Sequence, residues 1–579
     1  LLLFDAEETG GDERLTDRDA IDSAAGDNLI KIDVPAAWAN ATTGAEMIEG
    51  HADKYYQEII KPILYLKGDE LKSSQFNADG SVPTGTTKFE KRGVAVTVPE
   101  VNIDKCIQCG NCSFVCPHAC LRPALVKDGA EKPATFHGKA AIGLPGYEYK
   151  MQVSPLDCMG CGVCATVCPV KDGGAIKMIP LAESLAKGEE ANWDFSVELP
   201  AADTSKFKKE TVKGCQFCTP LFEFSGACAG CGETPYVKVI TQLFGDRMVV
   251  ANATGCSSIY GGSSPTCPYT KNKEGKGPAW ANSLFEDNAE FGYGMNLAYK
   301  ARRAKLEEEI RKNFDKVNEK TNAAFAAWLD GKDDAEKSKA AAELVKAAVK
   351  DEKAEGLDFI KENLDCLVKP SIWIFGGDGW AYDIGYGGLD HVLASGEDVN
   401  VLVLDTEVYS NTGGQASKST NIGAVAKFAS AGKRVKKKDL GMIAKSYGYV
   451  YVAQCAMGAN PAQLLKALSE AEAYKGPSLV ICYAPCINHG INMTKSQLEE
   501  KAAVECGYWQ LYRYNPVGEV FTLDSKDPTG DYQAFLAGET RYASLVKTQG
   551  EEVAKKLFAE TEESSKERLE TYKKLAGKE

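Results

Sequence analysis

The sequence lacks any apolar run long enough to cross a membrane. No stretch approaches the ~20 apolar residues that a spanning helix needs. The apolar residues 1–4 are too few for a signal-peptide core, and no basic segment precedes them. The net charge is −14, and no segment concentrates Lys and Arg into a basic stripe. We therefore expect no membrane span, no nucleic-acid partner and a cytoplasmic location.

Cysteine, in contrast, is abundant. The chain has 20 cysteines, and most of them fall in C-x-x-C groups. Such spacing favours metal ligation in a reducing cytosol over disulfide bonds.

The composition changes along the chain and predicts three regions. Residues 1–90 are interpreted as the tail of an upstream domain followed by a linker. The chain also does not begin with Met, which predicts a fragment or a processed product. Residues 91–200 carry two matching cysteine groups and are predicted to be α+β, and residues 201–579 are predicted to be α/β.

The α/β prediction depends on short β-branched runs with helix-like segments between them. These runs lie at 248–251, 371–375, 399–404, 449–453 and 479–483. Their alternation with helices predicts a mainly parallel, doubly wound sheet. Residues 298–363 are rich in Lys, Glu and Ala at helical spacing, which predicts an exposed helical insertion.

The paired cysteine groups both read C-x₂-C-x₂-C-x₃-C-P, the run that binds cubane clusters in bacterial-type ferredoxins. In that pattern the fourth cysteine of each run ligates the other cluster, and we expect it to begin a helix. The first [4Fe–4S] cluster would be held by Cys106, Cys109, Cys112 and Cys168, and the second by Cys158, Cys161, Cys164 and Cys116. Zinc sites do not show two such runs.

A second constellation can be interpreted in two ways. Cys215, Cys218, Cys228 and Cys231 have the spacing of a zinc ribbon. Alternatively, a third cluster is held by Cys228, Cys231, Cys256 and Cys486. Cys256 and Cys486 both follow predicted strands, so both are expected at the carboxyl edge of the sheet. Spacing alone does not decide between these alternatives.

A third motif lies where a predicted strand runs into Gly377-Asp378-Gly379. Glycines permit a sharp turn beside a diphosphate, and Asp378 offers a hard oxygen to Mg²⁺. Thr406 lies twenty-eight residues after Asp378, at the end of the next strand. An isolated Gly-Asp-Gly is often just a turn, but the pairing with a polar strand end favours thiamine diphosphate.

With these motifs the chain closely resembles the pyruvate:ferredoxin (flavodoxin) oxidoreductases. The resemblance rests on residues 90–93, 116–118, 154–158, 220–236 and 377–383. It implies the third cluster instead of zinc, and it implies that Asp378, Thr406 and the Val408 carbonyl hold Mg²⁺. It also implies thiamine diphosphate contacts from Glu233, Cys256, Gly377, Asp378, Gly379, Trp380, Thr406, Glu407, Val408, Tyr409, Ser410 and Asn411. Asn411 would lie near the reacting thiazolium as the catalytic residue.

The implied reaction is the oxidative decarboxylation of pyruvate with coenzyme A. Thiamine diphosphate serves as the electron sink, and electrons leave singly through three [4Fe–4S] clusters to ferredoxin or flavodoxin. The resemblance also implies an N-terminal half that carries the substrate and coenzyme A sites, and a homodimer of the complete enzyme. The alternatives are the same reaction on another 2-oxoacid and a pure electron-transfer subunit. Cys120, Cys215 and Cys218 fall outside the family pattern.

Overall fold

The structure is a computed structural model that describes residues 53–170, 174–263 and 265–577. Most of the predicted upstream tail, up to residue 52, lies outside the described residues. The described residues form one compact unit, and the predicted boundaries at residues 90 and 200 stay predictions. No helix in the described part of the chain has the length and apolar character needed to cross a membrane.

The cysteine-rich region holds short strands and helices. Its elements, in chain order, are α1 (Lys61–Leu64), β1 (Thr97–Val101), α2 (Asn111–Phe114), β2 (Leu121–Lys127), β3 (Lys139–Ala140), β4 (Tyr147–Val153), α3 (Val163–Thr166), β5 (Ile176–Pro180), α4 (Leu181–Ala186), α5 (Glu189–Glu198) and α6 (Val212–Gln216). Strands β1 and β5 pair antiparallel, and β4 pairs antiparallel with both β2 and β3.

The remaining elements build the α/β region. They are α7 (Thr234–Phe244), β6 (Met248–Ala253), α8 (Cys256–Ser258), β7 (Ala279–Ser283), α9 (Asn288–Asn313), α10 (Glu319–Gly331), α11 (Ala335–Asp351), α12 (Asp358–Glu362), β8 (Ser371–Gly377), α13 (Tyr386–Ala394), β9 (Asn400–Asp405), β10 (Val408–Tyr409), β11 (Gln415–Ala416), α14 (Leu440–Lys445), β12 (Tyr451–Cys455), α15 (Pro461–Ala473), β13 (Ser478–Tyr483), α16 (Ser496–Glu505), β14 (Tyr512–Asn515), β15 (Val520–Leu523), α17 (Tyr532–Gly538), α18 (Thr540–Gln549) and α19 (Glu551–Leu575).

One eight-stranded sheet organises this region, in the order β15-β14-β12-β13-β9-β8-β6-β7. All neighbours are parallel except β12–β14 and β14–β15. Along β9, Val401 and Val403 pack into the apolar core on one face, and Leu402 and Leu404 pack into the core on the other. Burial on both faces confirms the predicted doubly wound α/β class.

Each of the five predicted strands is present, but three strands of the sheet were not predicted. β7 reads AWANS and β14 reads YRYN. Neither carries a Val, Ile or Thr, so neither gives the β-branched signal that marked the others. β14 and β15 form an antiparallel hairpin at one edge of the sheet.

The two cysteine runs fold alike, as the internal repeat predicts. Helix α2 follows Gly110 (φ +82°) and α3 follows Gly162 (φ +74°), left-handed positions that glycine adopts without strain. The expectation that the fourth cysteine begins a helix is wrong for Cys116. The helix there is α2, which ends before Cys116, and Pro117 follows, so the chain turns into β2 instead.

The helical insertion forms a small core of its own. Leu306, Phe325, Trp328 and Val345 are among its buried residues. Its first helix, α9, begins at Asn288, earlier than the predicted start at 298, because its first turns pack on the sheet. A Cβ on Gly292 would lie 2.5 Å from the Ile374 side chain.

Candidate functional site

The first predicted ligand set surrounds a cavity with an empty volume of about 350 Å³. Its members are Cys106, Cys109, Cys112 and Cys168. Burial raises the pKa of Cys112 above its ordinary value, and the charges of the other three thiolates raise it further. The main-chain N–H groups of Gln108 and Ala175 donate to the sulfurs of Cys106 and Cys168, each at 3.4 Å. A cavity ringed by four cysteines, with N–H bonds to two of their sulfurs, fits a cubane cluster.

The second predicted set also converges. Burial raises the pKa of Cys164, and Cys161, Cys116 and Cys158 raise it further. Gly160 N–H donates to the Cys158 sulfur at 3.4 Å. Cys120, which sequence reasoning left without a role, donates its own N–H to the Cys116 sulfur at 3.3 Å. Cys120 is therefore a buried neighbour of this set.

The third set is assembled from segments far apart in sequence. Burial raises the pKa of Cys256, and the charges of Glu233, Cys231 and Cys486 raise it further. Burial likewise raises the pKa of Cys486, and the charge of Cys228 raises it further. The four thiols of the cluster interpretation therefore lie together.

Cys215 and Cys218, which only the zinc-ribbon interpretation includes, lie in different surroundings. Cys215 is buried with its sulfur 3.9 Å from Gln242 Oε1, and Cys218 Sγ lies 4.0 Å from the Gly214 carbonyl oxygen. In residues 53–170, 174–263 and 265–577, no three His, Cys, Asp or Glu side chains converge as ligands of a single metal ion. The geometry thus groups Cys228 and Cys231 with Cys256 and Cys486, not with Cys215 and Cys218.

A short turn interlocks the second and third sets. A Cβ on Gly230, between Cys228 and Cys231, would lie 2.6 Å from the Met493 carbonyl oxygen. On the other side of the turn, Thr166 in α3 donates its hydroxyl to the Thr494 carbonyl at 2.9 Å. The close approach explains why glycine is needed at position 230, where φ is +79°.

A second cavity, with an empty volume of about 540 Å³, lies beside the third set and includes Cys256 in its wall. It is lined by all of the predicted cofactor-binding residues except Thr406 and Glu407. The segments that carry Cys256, Asp378, Thr406 and Cys486 follow β6, β8, β9 and β13, four parallel strands. The cavity therefore lies at the carboxyl edge of the sheet, where open α/β folds bind ligands.

Three oxygen atoms beneath this cavity have the spacing of magnesium ligands. Thr406 Oγ1 lies 3.0 Å from Asp378 Oδ1 and 3.0 Å from the Val408 carbonyl oxygen. Octahedral Mg²⁺ with bonds of ~2.1 Å places adjacent ligand oxygens about 3.0 Å apart. Burial and the charge of Asp405 raise the pKa of Asp378, so a cation here would stabilise its carboxylate.

Glu407 differs from the other predicted contacts, because its side chain turns away from the cavity. Its carboxylate lies 2.8 Å from both Lys437 Nζ and Arg541 Nη2. Burial alone would raise the pKa of Glu407, but these two cations lower it to about 2. The residue has φ +60°, and its ion pairs fix the turn that follows β9. We interpret Glu407 as a positioning residue for Thr406 and Val408.

Glu233 lines the cavity and accepts a hydrogen bond from the Tyr260 hydroxyl at 2.9 Å. Burial raises the pKa of Glu233 to about 7, although the hydrogen bond from Tyr260 partly offsets this rise. Its carboxyl group can therefore hold or release a proton near neutral pH. Tyr260 was not singled out from the sequence, although it follows the Cys256 loop closely.

His489 was also missed. Its ring is buried, and Nε2 donates to the Thr406 carbonyl at 2.7 Å. It lies three residues after Cys486, so it links a segment of the third cysteine set to the segment that carries Thr406. The only sequence signal for His489 was its position in the turn at residues 485–490, which also carries Cys486.

Family models match two parts of the chain that carry these sites. Residues 365–482 match "Thiamine pyrophosphate enzyme, C-terminal TPP binding domain", and residues 105–171 match "4Fe-4S dicluster domain". Residues 43–95 match a domain of unknown function. These matches support a thiamine diphosphate site and a two-cluster site in this chain.

Relatives extend the likeness to nearly the whole chain. A pyruvate:ferredoxin oxidoreductase of Moorella thermoacetica is 58% identical over 95% of this chain and 48% of its own length. A pyruvate-flavodoxin oxidoreductase of Klebsiella pneumoniae is 51% identical over the same shares. The chain is homologous to the pyruvate:ferredoxin and pyruvate-flavodoxin oxidoreductases. It spans about half the length of these relatives.

Among solved structures, a 2-oxoglutarate:ferredoxin oxidoreductase from Magnetococcus marinus aligns with 15% identity and a TM-score of 0.28. The alignment covers 46% of this chain and 65% of that one. A likeness of this size carries no argument about the present site.

Proposed function

We propose that this chain supplies the thiamine diphosphate and electron-transfer half of a pyruvate:ferredoxin (flavodoxin) oxidoreductase. In the proposed reaction pyruvate and coenzyme A become acetyl-CoA and CO₂, releasing a proton and two electrons. The observation that carries the proposal is the position of Cys256. It belongs to the third cysteine set and also lines the cavity at the carboxyl edge, so the decarboxylation site and the first electron acceptor would adjoin.

Thiamine diphosphate supplies the electron sink for decarboxylation, and [4Fe–4S] clusters accept the electrons one at a time. Asp378, Thr406 and the Val408 carbonyl would hold Mg²⁺ against the diphosphate. Glu233, with its pKa near neutral, would hold a proton at the cavity wall. Asn411 would present its amide to the reacting centre, because it lines the same cavity.

The proposed path runs from the third cysteine set through the second to the first. His118, two residues after Cys116, has Nε2 3.3 Å from the Cys228 carbonyl oxygen, which supports neighbouring second and third sets. The first set reaches the surface, since Ile107, within its run, is 54% exposed. Lys139 and Lys213 lie close to Cys106. An exposed apolar group flanked by lysines suits the docking of an acidic electron carrier.

Ferredoxin or flavodoxin as the acceptor is part of the proposal, as are three clusters and Mg²⁺. So are an N-terminal half with the substrate and coenzyme A sites, a homodimer of the complete enzyme and a cytoplasmic location. The same chemistry on another 2-oxoacid is the alternative. A pure electron-transfer subunit is disfavoured, because it would have no use for the Asp378 cavity.

Cofactor analysis of anaerobically purified protein tests the first part of the proposal. We expect about twelve irons per chain in three cubanes, little zinc, and bound thiamine diphosphate with Mg²⁺. Eight irons and one zinc would contradict the third cluster.

Turnover tests the second part. The chain assembled with an N-terminal half should reduce ferredoxin or flavodoxin with pyruvate and coenzyme A. Turnover with 2-oxoglutarate but not with pyruvate would select the alternative substrate.

A further inference from the structure

Lys238 is a buried cation between the two ferredoxin-type cysteine sets. It lies on α7 and is 1% exposed. Its ammonium group donates to the main-chain carbonyls of Ser113 and of Phe114, the latter at 2.8 Å. Both carbonyls belong to α2, which carries Cys112 of the first set and is followed by Cys116 of the second. A helix of the α/β region thus inserts a positive charge into the cluster region.

This ammonium has no carboxylate partner in the described part of the chain. The side chains whose ionised forms would oppose its deprotonation are cysteines, of which Cys116 has the largest effect, followed by Cys215 and Cys112. Burial lowers the pKa of Lys238 to about 8, and these neighbours oppose the shift. An ammonium taken out of water needs compensation, and two carbonyl oxygens provide only part of it. Cluster thiolates would supply the rest.

We propose that Lys238 is a redox-tuning residue that raises the reduction potential of the cluster at Cys116, Cys158, Cys161 and Cys164. The inference rests on the two ferredoxin-type clusters of the proposed function. Reduction adds negative charge to a cluster, so a nearby buried cation stabilises the reduced form. The effect is larger on this cluster than on that of Cys106, because Cys116 is the thiol that interacts most strongly with Lys238. Its direction favours the transfer of an electron outward from the third set.

An EPR-monitored redox titration of the anaerobically purified full chain tests this inference. Lys238→Gln removes the charge but keeps N–H donors for the two carbonyls. We expect a more negative midpoint potential for the second cluster and a smaller shift for the first. Lys238→Arg should restore the second potential toward that of the unchanged chain. Cys109→Ala, which removes a ligand of the first set only, assigns the two signals.

Lys127→Gln is the matched control, because Lys127 is an exposed lysine at the end of β2. It should leave both potentials unchanged. Unchanged potentials in Lys238→Gln with a full iron complement would overturn the inference. So would the loss of the second cluster in Lys238→Gln but not in Lys238→Arg, because that lysine would then be purely structural. A chain without two ferredoxin-type signals would instead refute the proposed function.

Discussion

The two kinds of cysteine site in this chain are encoded differently. The first and second sets each take three cysteines from one tight loop and the fourth from the matching loop of the repeat. The third set takes Cys228 and Cys231 from one loop, Cys256 from the segment after β6 and Cys486 from the segment after β13. Local spacing is enough to predict the former, whereas the latter exists only once the parallel sheet has formed. A site built after parallel strands also lies beside the cavity that Cys256 and Asp378 line.

The largest effect is expected from Asp378→Ala, which should abolish retention of thiamine diphosphate and Mg²⁺. The variant removes the only carboxylate of the proposed magnesium ligands, while the ferredoxin-type clusters depend on other segments. Thiamine diphosphate and iron assays on the purified variant would show cofactor loss with iron retained. Asp390→Ala is the control, because Asp390 lies on α13 and bonds the Tyr447 hydroxyl at 2.8 Å, away from the cavity. Full cofactor content in Asp378→Ala would refute the Gly-Asp-Gly interpretation.

Cys256→Ala should remove about one third of the iron, that of the third cubane, and stop electron transfer to ferredoxin. Iron analysis and ferredoxin reduction by the assembled enzyme measure the two effects. Cys267→Ala is the control, because Cys267 is a buried cysteine outside all three sets. Its sulfur lies 3.9 Å from the Gly261 carbonyl oxygen. Equal iron losses in the two variants would mean that the third site is not specific to Cys256.

The same contrast explains what could be predicted from the sequence. The five central strands were predictable because runs such as that of β9 are apolar on both faces. Strands β7 and β14 were not, since their sequences carry no such run. Asp378 was predictable from a glycine motif, but the outward turn of Glu407 was not. That orientation depends on Lys437 and Arg541, which come from segments far along the chain.

Glu500 provides a test of the fold apart from either kind of site. Burial raises the pKa of Glu500 to about 8, and its carboxyl group accepts hydrogen bonds from the Tyr236 hydroxyl and the Gly458 N–H at 2.9 and 2.8 Å. A raised pKa gives stability that is present below about pH 4.5 and lost as the pH rises through 8. In Glu500→Gln the free energy of unfolding should therefore fall less steeply as the pH rises. The difference from the unchanged chain should reach at most about 3 kcal/mol between pH 4.5 and 7. Denaturant unfolding at several pH values measures it, and an unchanged slope would contradict it.

No effect on metal content is expected from Cys215→Ala or Cys218→Ala. Both thiols lie outside the three sets, so the iron content and the cluster EPR signals should match those of the unchanged chain. Loss of a bound zinc from either variant would restore the zinc-ribbon interpretation.

The turn at residues 493–495 fixes the spacing between the second and third sets, because Gly230 and Thr166 both pack against it. Electron tunnelling falls off steeply with distance, so a spacing held by main-chain contacts would also set the rate of an electron hop between clusters bound at the two sets. No hinge is needed to bring donor and acceptor together. We therefore expect this hop to be insensitive to solvent viscosity, unlike the diffusive encounter with an external carrier.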